Sequence, residues 1–462
     1  MEEDDALEIP LPGEYFPPTA ADPKKQEQLN EDKASILQRC RQFCGWNSAS
    51  FPGSQPVSLS RGNLEDMALH PYVACEKTDG VRFLLIAVSG MVFLVDRKEE
   101  LQLVRYHMPK DSDLNAPQQW TILDGELVKD TYVDQGKKNI RVRFLIYDAV
   151  TINRDRSIGK LPLTERLKAV YRQVILPRLR WEELNPDVVA TEKAGNHYLE
   201  IYLKDFFEIW DVAAIHNFSN RLPHLSDGII FTPVKCPYTP GTCRKLLKWK
   251  PPRLNTVDFK SSIVKLQTPN ADGSPRYLVQ LLVGMRGVPH ATDLWLAPFG
   301  EKYKDLMALH QRSLVDRTAT KVVDGTIWEC FWSPESKTPK VRKLADNRFD
   351  WDEAADGWAE EGWLAERIRS DKHTPNDIRV VGKVKQSIVD GICFEDLMEA
   401  FERFQRQGLK SVTSRCYMPP YYKEVGSEVA KSTALECPSE DEDDEEEPEP
   451  KRQKNEAVAT VM

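Results

Sequence analysis

Residues 77–88 read KTDGVRFLLIAV. Asp79-Gly80 has turn chemistry, and the following eight residues are an apolar run rich in β-branched and aromatic side chains, the pattern of a strand. Lys77 and Arg82 therefore stand on either side of a bend at a strand edge. A plain hairpin with two solvated cations accounts for the same residues. K-x-D-G arises by chance in about one chain in ten of this length, and K-x-D-G-x-R in about one in two hundred. The rest of the chain has to separate the two readings.

Working outward, MVFLVD (91–96) and VRFLIYDAV (142–150) are further short apolar runs, and GIIFTPV (228–234) and KLLKWKP (245–251) have the same texture. Residues 161–181 have helical composition, and 203–217 are expected to be helical too. Residues 24–45 are a predicted helix with Ile36, Leu37, Cys40 and Cys44 on one face. This mixture predicts an antiparallel-rich α+β unit over 24–253 rather than a βαβ array. After Pro251-Pro252 the chain alternates short strands with turns through 255–345, the spacing of a small all-β module such as an OB-fold, assigned to 254–375. The stretch 350–376 is acidic and Trp-rich, then abruptly basic. A helical segment follows over 376–424, including FEDLMEAFERFQRQG (394–408), which ends at a glycine. Residues 1–23 and 425–462 are acidic and predicted to be disordered.

The chain has 462 residues and a formal net charge of −9. Residues 1–23 and 438–462 each carry −7, which leaves the body between them at +5. That body is compatible with polyphosphate or RNA binding. No apolar run is long enough to span a bilayer, and the N-terminus lacks the basic start and apolar stretch of a secretory signal, so no membrane partner is expected. Nine cysteines without CxxC or Cys/His spacing suggest reduced thiols in a cytosolic or nuclear protein. Cys40 and Cys44 read as core residues. There is no G-x-x-x-x-G-K-[ST] loop and no G-x-G-x-x-G fingerprint, so any nucleotide is bound by another route.

Several charged residues recur at strand edges. Asp124-Gly125-Glu126 continues TIL, Tyr147-Asp148 ends FLIYDA, and Ser226-Asp227-Gly228 leads into IIF. In Lys248-Trp249-Lys250 the two lysines face the same side of a strand. Two cations on one face are costly in a core and natural against a polyphosphate. Arg367, Arg369, Asp371 and Lys372 cluster on the far side of the β-module.

Taken in order, these segments resemble the signatures of the covalent nucleotidyltransferase superfamily, which contains mRNA capping enzymes and polynucleotide ligases. Lys77-x-Asp79-Gly80-x-Arg82 matches the nucleophile motif. Asp124-Gly125-Glu126, FLIYDA, Ser226-Asp227-Gly228 and LLKWKP match the next four, and Arg367-x-Arg369-x-Asp371-Lys372 the last, over roughly residues 45–410. Within the superfamily the chain looks like the monofunctional fungal guanylyltransferases, on FPGSQPVSLSR (51–61) and R-x-R-x-D-K. DNA ligases carry an acid two positions before the lysine. Here that position is Cys75, and the acid, Glu76, comes one residue later.

The resemblance implies an α+β nucleotidyltransferase domain with ATP-grasp-like antiparallel sheets, followed by an OB-fold β-barrel domain. It implies GTP as substrate, Mg²⁺ or Mn²⁺ as cofactor, and a lysyl-GMP intermediate on Lys77. Lys248 and Lys250 would bind the α-phosphate, Arg82 and Glu126 the ribose, and Arg97 a phosphate or the RNA 5′ end. Tyr147 would stack on guanine, Asp227 would be an outer metal ligand, and Asp79 belongs to the same GTP site. Arg367, Arg369, Asp371 and Lys372 would reach the β,γ-phosphates when the OB domain closes. A lysine with an ordinary pKa of about 10.4 must be neutral to attack, and Arg82, Lys248 and Lys250 are the cations expected to favour that form. The implied partners are 5′-diphosphate RNA, a separate RNA 5′-triphosphatase, since no H-C-x5-R loop is present, and the phosphorylated C-terminal domain of RNA polymerase II, all in the nucleus. KRQK after the acidic tail is a weak nuclear signal. An ATP-dependent polynucleotide ligase with a lysyl-AMP intermediate is the alternative, and a non-catalytic scaffold is a third reading.

Overall fold

The computed structural model describes residues 9–134, 137–194, 199–219, 222–298, 303–308, 310, 324–352 and 357–409. The predicted strand spans Val81–Val88. Its odd residues Phe83, Leu85 and Ala87 enter one core, and its even residues Leu84, Ile86 and Val88 enter another. That alternation is the period-2 pattern of a strand buried on both faces.

This strand is central in a seven-stranded sheet, in the order Glu14–Phe16, Leu101–Val104, Met91–Val95, Val81–Val88, Thr121–Asp134, Lys137–Thr151, Glu200–Leu203. Every pairing is antiparallel except the last. A second sheet has the order Phe207–Glu208, Tyr72–Thr78, Ser226–Pro233, Gly241–Trp249, Ser54–Ser58. The Asp79-Gly80 bend is therefore not a hairpin. Tyr72–Thr78 belongs to the second sheet and Val81–Val88 to the first, so the bend carries the chain across the gap between them. Gly80 is needed there, because a Cβ would lie 2.5 Å from the Leu127 carbonyl oxygen.

Val73 and Cys75 of the second sheet share a core with Phe83, Leu85, Leu123 and Phe144 of the first. Behind the first sheet lies the helix Pro23–Cys44, capped by the Asp22 side chain and by Gly45 at φ +68°, which buries Cys40 and Cys44 against Leu84, Ile86 and Phe93. Behind the second sheet lies the helix Phe394–Arg406, from the far end of the chain. Its Leu397, Ala400, Phe401 and Phe404 stripe packs on Tyr72, Ala74, Phe231, Leu247 and Trp249. The helix expected within a separate C-terminal segment thus completes the core of the catalytic unit.

Between these parts, the strands Thr256–Lys265, Tyr277–Met285, Val288–His290, Ile327–Pro339 and Trp358–Ile368 form an antiparallel five-stranded sheet. The segment 294–297 closes it into a barrel. Leu296 N donates to Val279 O at 2.9 Å, and Ala297 N donates to Trp363 O at 2.8 Å. The barrel core holds Val257, Phe259, Leu281, Trp328 and Trp363, and the helix Ile378–Asp390 lays Val381 on it. This is the expected OB-like module. Among the described residues no helix is long and apolar enough to cross a membrane.

Two expectations are corrected. Residues 203–217 are not one helix: Glu200–Leu203 pairs in parallel with Arg143–Ile146, Phe207–Glu208 joins the second sheet, and only Val212–Ser219 is α-helical. The β-forming run EIYL adds a sheet edge that local composition did not reveal. Residues 14–16 are not disordered, because they pair with Leu101–Leu103 and Phe16 packs edge-on to Phe93 at 5.2 Å. The acidic tail expected to be disordered at 425–462 lies outside the described residues.

Phe401 is 1% exposed and meets Phe231 at 5.5 Å. Phe401→Ala is expected to destabilise the catalytic unit by about 3–5 kcal/mol, measured by chemical unfolding. A loss confined to the barrel's transition would contradict this placement of the helix.

Candidate active site

Lys77 lies near the end of Tyr72–Thr78, where the strand leaves its apolar core for a cleft. Its Nζ donates to Asp227 Oδ1 at 2.6 Å, and Lys250 Nζ pairs with Asp227 Oδ2. The turn is held from the neighbouring strand. Ser226 Oγ donates to Lys77 O at 3.0 Å, and Asp79 N donates to Leu225 O at 2.8 Å. Gly228 lets this strand approach its other neighbour, since a Cβ would fall 2.0 Å from the Trp249 carbonyl oxygen.

The Lys-Trp-Lys alternation holds. Trp249 is buried against the C-terminal helix, and its Nε1 donates to Ile392 O at 2.8 Å. Lys248 projects from the other side of the strand. Burial, then the charges of Lys77, Lys250 and Arg97, push its ammonium below the usual lysine range. Arg97 stands among these cations, and Arg82 is paired with Asp124.

The cleft beside Lys77 encloses about 950 Å³, counting space open to solvent. Arg82, Asp124, Glu126, Arg97 and Tyr147 line it together. Arg82 faces Glu126 across adjacent strands, and Asp124 is the diagonal neighbour. The Arg82 guanidinium is buried in a bidentate pair with Asp124, at 2.9 and 2.5 Å, between the rings of Phe51 and Tyr147 at 5.5 and 5.7 Å. Tyr147 sits where the Lys137–Thr151 strand slips register between Ile146 and Asp148. Such a bulge re-aims a side chain out of the regular alternation. Glu126 is lifted to about 7 by desolvation, against the opposing pull of Lys204, Arg82, Lys77 and Arg97. Cys75 is a neutral thiol, pushed up to about 12 by burial.

Three polar residues of this cleft went unassigned in the sequence reading. Lys204 is buried, pairs with Glu76 at 2.7 Å and donates to Thr78 Oγ1. Tyr238 donates to Asp124 Oδ2 at 2.6 Å and accepts from Ser54 N at 3.0 Å. Arg166 pairs with Asp148 at 2.5 and 2.8 Å. The signal for Lys204 was its position just after EIYL, hidden by the helical expectation there.

The last cluster occupies a second cleft, between the catalytic unit and the barrel. Arg367, Arg369 and Asp371 line it opposite Asp79, Gly80, Asp227 and Lys250. Each cation has a counter-ion on its own module. Arg367 pairs with Glu329 at 2.7 Å, Arg369 with Asp258 at 3.2 Å and Asp371 at 2.7 Å, and Lys372 with Asp258. The hydrogen bond from Arg369 holds the Asp371 carboxyl down to about 2. The structure thus gathers Lys77, Arg82, Arg97, Glu126 and Tyr147 in one cleft. Asp79, Asp227, Lys250, Arg367, Arg369 and Asp371 share the other, and Lys372 is turned onto Asp258. Asp258 and Glu329 were not anticipated.

Among the described residues no three His, Cys, Asp or Glu side chains gather as a metal cage. Asp227, which holds Lys77, and Asp79 line one wall of the second cleft together. That set fits a hard divalent cation that keeps most of its waters and shares phosphate oxygens.

A lysine sharing one carboxylate with a second lysine at the edge of a cleft lined by charged side chains, faced by a cation-bearing OB-like barrel, has the arrangement of a nucleotidyltransferase. The model of the family described as "mRNA capping enzyme, catalytic domain" matches residues 21–252, and that of "mRNA capping enzyme, C-terminal domain" matches 254–398. The mRNA-capping enzyme subunit alpha of Saccharomyces cerevisiae is 31% identical over 76% of this chain and 78% of its own length. That of Neurospora crassa is 30% identical over 80% and 88%. A solved ATP-dependent DNA ligase from bacteriophage T7 aligns with 68% of this chain and 98% of its own, at 14% identity and a TM-score of 0.30. The chain belongs to the mRNA capping enzyme family.

The raised value for Glu126 has a testable sign. The folded state holds this proton more tightly than the unfolded chain, so the contribution of Glu126 to stability falls as pH rises from its ordinary value to about 7. As pH rises through about 7 the carboxyl ionises and becomes a pure acceptor for ligand hydroxyls. The KM for GTP in covalent labelling is expected to fall across that range in the wild type and to be flat in Glu126→Gln. An unchanged profile in the variant would assign the ionisation elsewhere.

Proposed function

We propose that Lys77 attacks the α-phosphorus of GTP, forming a lysyl-GMP phosphoramidate and releasing pyrophosphate. The terminal oxygen of a 5′-diphosphate RNA end then attacks the same phosphorus. The P–N bond breaks, Lys77 takes a proton, and the RNA carries a guanosine triphosphate bridge. The chain is an mRNA-capping guanylyltransferase, and it acts on RNA. The observation that carries this reading is Lys77 Nζ on Asp227 Oδ1 at 2.6 Å, with Lys250 on the other oxygen of the same carboxylate, beside a cleft that Lys77 and Arg97 line together.

Each role follows from chemistry at that place. Lys77 must lose a proton before it attacks, and Asp227 accepts its hydrogen bond and is the group toward which the proton departs. Lys248 and Lys250 stabilise the charge that develops on the α-phosphate oxygens. Glu126 accepts from ribose hydroxyls. Arg82, already committed to Asp124, shapes the ribose wall with what remains of its donors. Tyr147 offers its ring to the base. Lys204, which also holds Glu76 and Thr78 Oγ1, keeps a further donor on the wall of the cleft, which suits the O6 and N7 acceptors of guanine and opposes the amino donor of adenine. Mg²⁺ or Mn²⁺, held beside Asp227 and Asp79 by the phosphates, would supply charge neutralisation.

Arg367, Arg369, Asp371 and Lys372 act on the β,γ-phosphates when the barrel, 254–375, closes on the catalytic unit, 24–253. Closure aligns pyrophosphate opposite Lys77, and opening releases it. The acceptor needs a diphosphate end, so a separate 5′-triphosphatase must act first. The relatives named as alpha subunits support such a partner. Binding to the phosphorylated tail of RNA polymerase II and a nuclear location complete the reading.

Incubation with radiolabelled GTP or ATP and Mg²⁺ tests the reaction. GTP is expected to label the protein through an acid-labile bond, ATP is not, and Lys77→Ala is expected to be unlabelled. Labelling of Lys77→Ala would overturn the assignment. Lys372→Ala is expected to slow lysyl-GMP formation by about 10²-fold while sparing transfer from preformed lysyl-GMP. Equal loss in both half-reactions would exclude the closure role.

A further inference from the structure

The second cleft is larger than the phosphates of GTP require. It encloses about 1850 Å³ against about 950 Å³ for the first, both counting space open to solvent. Beyond Asp227 and Lys250 its catalytic-unit wall continues along Gly80, Val81, Leu225, His224 and Lys129. Val81 and Leu225 are 38% and 61% exposed, beside the turn that carries the nucleophile. They form an apolar shelf, and Lys129 lines the same wall beyond it.

The shelf is rigid. Asp79 N donates to Leu225 O and Thr131 N to Pro223 O, both at 2.8 Å. His224 Nδ1 lies 2.7 Å from Asp130 Oδ1, and Asp130 is also bound by the buried Arg143. The segment 223–226 is thus tied to both sheets.

Stereochemistry decides what must lie here. In an in-line displacement the entering and leaving groups stand on opposite sides of phosphorus. Pyrophosphate leaves on the side away from Lys77, so the oxygen that later displaces Lys77 must enter from that same side. The RNA 5′ end therefore takes the place that pyrophosphate vacates, and the rest of the RNA must lead away from it. The first cleft is occupied by guanosine. The open direction from Lys250 and Asp227 is the second cleft.

Resting on the guanylyltransferase reading, we propose that this shelf is the acceptor subsite. The first nucleoside of a 5′-diphosphate RNA packs on Val81 and Leu225, and the phosphate that follows it meets Lys129. The terminal diphosphate oxygen then forms the new P–O bond as the P–N bond to Lys77 breaks and its nitrogen takes a proton. An apolar shelf contacts base faces rather than base edges, so the first nucleoside is bound without being identified.

The test uses the full chain with Leu225→Asp and Lys129→Glu, and compares three reactions: lysyl-GMP formation from GTP, its reversal by pyrophosphate, and transfer to 5′-diphosphate RNA. Formation and reversal are expected within about twofold of wild type, while the KM for RNA rises about tenfold. With a single nucleoside diphosphate as acceptor, Leu225→Asp should remain impaired and Lys129→Glu should recover, because the internal phosphate is gone. Equal loss with pyrophosphate and RNA, or an unchanged KM for RNA, would overturn the proposal. Failure of the wild type to be labelled by GTP would instead overturn the reading on which it rests. Loss of labelling in both variants would show that the shelf serves the fold and not the acceptor.

Discussion

The carboxylate of Asp227 holds two lysines at once, one on each oxygen. Burial, and then the neighbouring charges of Lys77, Lys250 and Arg97, push the ammonium of Lys248 below the usual lysine range. Two like charges at contact distance near a protein surface cost on the order of 4 kcal/mol. Without an anion among them the cations would spread into solvent and Lys77 would lose its orientation. Asp227 keeps its place because it opens a central strand of the second sheet, pressed by Gly228 against the Trp249 carbonyl. Trp249 is in turn covered by the C-terminal helix and hydrogen-bonded to Ile392. The reactive end of Lys77 thus depends on packing contributed more than 300 residues later.

The barrel handles its cations in the same way, with a different purpose. Arg367, Arg369 and Lys372 rest on Glu329 and Asp258 instead of reaching for the carboxylates of the catalytic unit. In the proposed cycle the β,γ-phosphates exchange one set of anions for another. The difference between open and closed arrangements is then a small balance of ion pairs, suited to a lid that must release pyrophosphate after each turnover. Asp371 also bonds Arg369 and moves with it, which keeps the guanidinium oriented whichever partner it has.

The local elements were legible. Val81–Val88 appears where the apolar run placed it, and Phe394–Arg406 lies within the helix expected over 394–408. The partners of those elements were not, because nothing local in FEDLMEAFERF says that its apolar face belongs to a sheet formed by residues 54–249. The same limit explains Lys204. EIYL is too short to declare itself a strand, and its pairing with Arg143–Ile146 sets Lys204 beside Thr78 and Glu76. Asp258 and Glu329 were invisible for the same reason, since a carboxylate inside a strand takes its meaning from the cation that the fold brings to it. Ordered motifs named Lys77, Arg82, Glu126 and Tyr147 of one cleft and Asp79, Asp227, Lys250, Arg367, Arg369 and Asp371 of the other, whereas the division between two clefts depends on the fold.

The turn at Asp79-Gly80 shows why the hairpin and nucleophile readings could not be separated locally. Both need a tight bend, a glycine and an apolar strand. They differ in where the two strands go. In a hairpin Lys77 and Arg82 would sit on paired strands of one sheet, and both would be solvated. Here the bend crosses between sheets, so Lys77 stays with Asp227 on one wall while Arg82 enters the other wall with Asp124 and Glu126. The space between them is the cleft. Gly80 makes the crossing tight enough that Lys77 and Glu126, 49 residues apart in sequence, line the same cleft. The chemistry of K-x-D-G-x-R therefore comes from the topology that separates its two cations, and six residues alone could not encode it.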